Sequence, residues 1–105
     1  MAERILVHVP ADLADLIPDY LEWRRRDLQA LHAALANDDL ETVQKIGHRI
    51  KGTGASYGFP PLTEWGRALE MAARAGQRDA VERSLAELTD YLERVEIVED
   101  TEPSG

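Results

Sequence analysis

Apolar residues recur at helical intervals from Leu13 to Leu35 (Leu13, Leu16, Ile17, Tyr20, Leu21, Leu28, Leu31, Leu35), with Pro18 inside the run. Proline removes a backbone donor and clashes with the preceding turn. The pattern therefore predicts a short helix to about Leu16 and a long one restarting at Pro18. Asn37-Asp38-Asp39 marks a turn. A capping box of Asp38 and Glu41 is expected to start the next helix, which should run to about Ser56. Tyr57-Gly58-Phe59-Pro60-Pro61 breaks it, because glycine suits a left-handed helix end and proline cannot continue a helix.

After this tight hairpin, Leu62, Trp65, Leu69 and Ala72 or Ala73 line one side of a third helix that ends at Gly76. A second capping box, Asp79 and Glu82, is expected to open a fourth helix with Val81, Leu85, Leu88, Leu92 and Val95 inward. Short connections predict antiparallel helices around one core, spanning about residues 11–97. Ile5, Val7 and Val9 alternate like a strand. A lone strand has nothing to pair with, so residues 1–9 are read as extended and residues 98–105 as a flexible tail. There is no internal repeat, and 105 residues allow a single all-α domain working through one site or surface.

Composition narrows the chemistry. The chain has no cysteine, which removes thiol catalysis, disulfides and most structural zinc sites. Its net charge of −8 disfavours nucleic acid and anionic lipid. No apolar run is long enough to span a bilayer, and the N-terminus lacks the order of a secretory signal, so a cytoplasmic, monomeric protein with protein or small-molecule partners is expected.

Placing the second main helix on a wheel at about 100° per residue sends Leu40, Val43, Ile46 and Ile50 toward the core and His48 about 145° away from that direction. Gln44, Lys51, Gly52 and Ala55 fall within about 60° of His48. Lys51, one turn on, can fold its ammonium over an anion carried by the imidazole. Lys45 and Arg49 add a more diffuse positive field. Such a cation cluster is the exception in so acidic a chain.

The hairpin adds a third component. His48 and Glu70 lie eleven residues either side of Phe59, so antiparallel helices bring them to one level. A carboxylate accepting the Nδ1 proton fixes the tautomer in which Nε2 is free to act as a nucleophile. Arg74, one turn beyond Glu70, is placed to pin that carboxylate or touch an anion carried by the imidazole.

His48, Lys51, Gly52, Gly54 and Gly58, as they stand in H-R-I-K-G-T-G-A-S-Y-G, resemble the signature of the histidine-containing phosphotransfer (HPt) family. The likeness extends from about Leu13 to Val95. The resemblance implies a four-helix bundle whose histidine, here His48, shuttles a phosphoryl group between aspartates of response-regulator receiver domains in a two-component phosphorelay. Receivers and a hybrid histidine kinase are the implied partners, and the receiver brings the aspartyl phosphate and its Mg²⁺. No ATP site, metal site or cofactor of the chain's own is implied, which makes it a phosphocarrier dependent on other domains for turnover. The family often carries glutamine, sometimes glutamate, at the position of Glu70.

Plainer readings stand beside these. An exposed histidine is usually a solvated residue, and Glu70 taken alone reads more simply as a surface charge or as a partner of Arg67 or Arg74. His8 and His32 read as structural, Trp23, Trp65, Tyr20 and Tyr57 as core or rim packing, and Arg24-Arg25-Arg26 as a solvated face. A helical scaffold or interaction module without phosphorylation is the alternative function.

Overall fold

The computed structural model describes residues 3–100, and those residues are mostly helical. The elements run β1 (Ile5–Pro10), α1 (Ala11–Ala14), α2 (Ile17–Ala36), α3 (Leu40–Thr53), a single 3₁₀ turn (Ala55–Tyr57), α4 (Pro60–Arg74), α5 (Arg78–Arg94) and β2 (Val95–Asp100). Ile17, Tyr20 and Leu31 of α2, Val43 and Ile50 of α3, Leu62 and Leu69 of α4, and Val81, Leu85 and Leu88 of α5 are all but solvent-free and share one core.

The strand reading needs correction. Ile5 to Pro10 pairs in parallel with Val95 to Asp100, in the register Ile5 to Val95 and Val7 to Ile97. The extended N-terminus thus has a partner, and residues 98–100 of the expected tail are strand. Residues 101–105 of that tail lie outside the described residues. The pair returns the chain end to its beginning and buries Val9 completely.

Both capping expectations also shift. Asp38 adopts the left-handed conformation (φ 54°) and serves the turn, which passes the cap to Asp39. Asp39 accepts from the Thr42 amide at 3.1 Å and the Thr42 hydroxyl at 2.6 Å, and these bonds hold its carboxyl below the usual range. Gln77 occupies the cap of α5 with no side-chain bond. Glu82 is drawn instead to Arg78 (3.1 Å), whose guanidinium also reaches Asp38 and the Leu35 carbonyl.

α3 and α4 approach closely because small residues line their seam. A Cβ on Gly66 would stand 2.4 Å from the Lys51 amide nitrogen, and one on Gly54 would stand 2.6 Å from that of Thr63. Leu69 and Glu70 therefore sit directly against Gly47, since a Cβ there would lie 2.9 Å from the Glu70 nitrogen. This seam is what brings the side chain of α4 at position 70 to the one of α3 at position 48.

Candidate functional site

α3 ends at Thr53, three residues earlier than its pattern suggested, and Gly58 (φ 88°) closes the turn into Pro60 at the start of α4. His48 stands five residues before the end of α3 with its side chain 69% exposed. Its Nδ1 is 2.7 Å from Oε2 of Glu70, whose side chain is only 7% exposed. An ionised carboxylate can only accept, so the proton of this contact belongs to Nδ1, and Nε2 is left with its lone pair.

Glu70 remains ionised because Lys51 donates Nζ to Oε1 at 2.7 Å. That bond, foremost, and the contact with His48 hold the Glu70 carboxyl below its ordinary range against the opposing push of burial. Arg74 adds an ion pair to Oε2 at 3.6 Å. The Lys51 ammonium, expected over the phosphoryl position, therefore rests on the carboxylate. Arg67 pairs with Glu64 within the same helix.

Gln44, Lys45, His48 and Glu70 line a shallow recess of about 330 Å³ beside the imidazole. Gly52 lies exposed next to it, and a Cβ there would meet nothing within 4 Å. Ala55 is exposed but belongs to the 3₁₀ turn, where its amide donates to Thr63 Oγ1 at 2.9 Å, so the wheel of α3 no longer governs its direction. The structure thus brings together His48, Lys51, Glu70, Gln44 and Arg74. His32 faces Thr89 of α5 at 3.4 Å, and His8 lies on the exposed side of β1.

One reading of the arginine run is overturned. Arg24 is buried (6% exposed), as is Asp27 (6%). Arg24 donates to Thr53 Oγ1 at 2.8 Å and lies over the Tyr20 ring, which stacks on Tyr57 at 4.3 Å. Asp27 in turn holds Arg49 of α3 at 2.5 Å. The signal was available in the helical period: Arg24 falls at four-residue spacing between Tyr20 and Leu28, on the core side of α2.

The family model of the Hpt domain matches residues 15–97, and the chain belongs to the Hpt domain family. Membership supports a histidine phosphotransfer role in phosphorelays in general terms. No curated protein and no solved structure matched the chain. None of the helices among the described residues is long and apolar enough to cross a membrane.

Proposed function

We propose that this chain is a phosphocarrier in which His48 Nε2 takes a phosphoryl group from the aspartate of one receiver domain and passes it to another. The observation that carries this reading is the exposed imidazole of His48 with Nδ1 held 2.7 Å from the buried Glu70 carboxylate. In acceptance, the Nε2 lone pair forms the N–P bond as the aspartyl O–P bond breaks, and the aspartate leaves as carboxylate. The ring becomes cationic, and the fixed charge of Glu70 compensates at the moment of transfer. The reverse step returns the phosphoryl group and restores the neutral ring.

In this reading Lys51 has two tasks that follow each other. At rest it keeps Glu70 ionised. Its ammonium has three donors, so it can keep one on Glu70 while another neutralises a phosphoryl oxygen on the ring. Gln44, Gly52, Ala55 and Arg74 form the surrounding contact surface. The helices act as an antiparallel four-helix bundle, one domain and one site, in a cytoplasmic monomer that meets receivers and a hybrid histidine kinase and needs no cofactor of its own.

The test is to incubate the protein with a phosphorylated receiver, remove the donor and follow phosphate lost on brief acid treatment. Acid-labile phosphate on the wild type and none on His48→Gln is the expected result. Failure of the wild type to take up phosphate from any of a panel of receivers and from phosphoramidate would leave the helical scaffold as the better account.

A further inference from the structure

On the other flank of His48 from Glu70, Arg49 leans across to α2 rather than into solvent, and its Nη2 meets Asp27 Oδ1 at 2.5 Å. Asp27 is itself fixed. Its side chain is 8% exposed, and Arg24 Nε lies 3.0 Å from Oδ2 as an ion pair misaligned for a hydrogen bond. Arg24 is anchored by Thr53 Oγ1 at 2.8 Å, and Thr53 bonds back to the Arg49 carbonyl at 3.3 Å. The loop from α3 to α2 and back is closed, and it sits one residue from the reactive histidine.

The Arg49 side chain is nevertheless 56% exposed. A guanidinium has five N–H donors in a planar fork, and the contact with Asp27 uses one nitrogen of it. A long arginine normally loses side-chain freedom when it binds. Here the anchor has already taken that freedom away, so a second carboxylate meets a fork whose direction is set. More than half of the Arg49 side chain is thus open to a partner while its direction is fixed from behind by Asp27.

We propose that Arg49 is a docking residue that accepts a carboxylate side chain from the rim of the partner receiver, and that Asp27 is the positioning residue that aims it. The proposal rests on the reading of His48 as the phosphoacceptor and adds a determinant of partner choice. Because the anchor draws Arg49 toward α2, it does not compete with Lys51 for the phosphoryl group. Charge explains its value. A chain of net charge −8 repels an acidic partner at long range, and a cation placed beside the target atom converts that repulsion into register at contact.

The experiment compares wild type, Arg49→Gln, Arg49→Lys and Asp27→Asn with a receiver that phosphorylates the wild type, over a range of receiver concentrations. In parallel, phosphoramidate phosphorylates His48 without docking. Arg49→Gln should raise the receiver KM about tenfold or more, the scale of a lost charge-assisted hydrogen bond, with kcat and the phosphoramidate rate within about twofold of wild type. Arg49→Lys should recover little, because a point charge does not reproduce the fork. Asp27→Asn should show the same split of KM from kcat, and Arg49→Gln carries the test alone if Asp27→Asn does not fold. An unchanged KM in Arg49→Gln, or a loss confined to kcat, overturns the docking role. If His48→Gln, run alongside, is still phosphorylated by either donor, the phosphoacceptor reading has failed instead.

Discussion

Glu70 on α4 accepts the Nδ1 proton of His48 on α3 while lying almost wholly out of solvent, so a buried charge orients an exposed ring. Carboxylates that orient metal-ligating histidines are typically worth about 10- to 100-fold, and Glu70 holds His48 in the same way. Glu70→Ala should therefore slow phosphorylation of His48 by about that factor without abolishing it, because the carboxylate does not react. The measurement is the initial rate of acid-labile phosphate formation. A rate equal to wild type would remove Glu70 from the chemistry.

His48→Gln should abolish that phosphate altogether. With 69% of its side chain in water, His48 contributes little to packing, and exposed substitutions move stability by no more than about 0.5 kcal/mol. The helical circular-dichroism spectrum and the denaturant midpoint should stay near wild type. Acid-labile phosphate persisting on the variant would place the acceptor elsewhere.

Much of this site was legible from local sequence because it depends on a single helix and one short hairpin. The 3.6-residue period placed His48 outward, with Lys51 and Gln44 beside it. The eleven-residue symmetry about Phe59 placed Glu70 at the same level. What stayed hidden depends on distant segments. The alternation of Ile5, Val7 and Val9 indicates a strand, but its partner lies about ninety residues away, and nothing local records that α5 returns the chain to it. Asp27 is hidden for another reason: a buried carboxylate needs its cations named, and Arg49 comes from another helix. Even the shift of the cap from Asp38 to Asp39 follows from one left-handed residue that composition does not dictate.

The Arg24–Asp27–Arg49 group should be costly to break from its centre. Replacing Asp27 with Ala leaves the buried Arg24 guanidinium without its counter-charge, and uncompensated buried charges cost about 3–5 kcal/mol. Asp27→Ala should lower the stability seen in urea unfolding by an amount of that order. Arg25→Ala, at an exposed neighbour, should change it little. Equal effects of the two would mean that the network adds nothing beyond a solvated ion pair.

Acid should loosen the site through Glu70. Its carboxyl is held below the ordinary value of 4.5, by the Lys51 bond above all, so the folded state favours the ionised form. The resulting stabilisation is complete above about that value and is lost as pH falls through it toward the lower folded value. Glu70→Gln should be less stable than wild type at pH 7, where Lys51 and Arg74 lose their counter-charge. It should also decline less steeply from pH 5 downward. Denaturant midpoints across that range decide it; parallel acid limbs in the two proteins would show that Glu70 carries no such linkage. Asp39, lowered by its bonds to Thr42, contributes in the same window and is unaffected by the substitution.

Glycines separate contact from packing. Gly52 sits in the exposed interior of α3, where glycine costs about 1 kcal/mol relative to alanine, and no neighbour would obstruct a Cβ. Gly52→Ala should therefore raise the melting temperature. Gly66 is the opposite case, since an added Cβ would meet backbone of Lys51 at 2.4 Å, and backbone cannot yield as a flexible side chain does. Gly66→Ala should destabilise the protein by about 1–3 kcal/mol and prise α4 from α3, carrying Glu70 away from His48. If Gly52 serves a close approach of the receiver, Gly52→Gln should fold as wild type, accept phosphate from phosphoramidate and yet lose most of its transfer from the receiver. Wild-type transfer by a folded Gly52→Gln would refute the close-docking role and leave an exposed helical glycine unexplained.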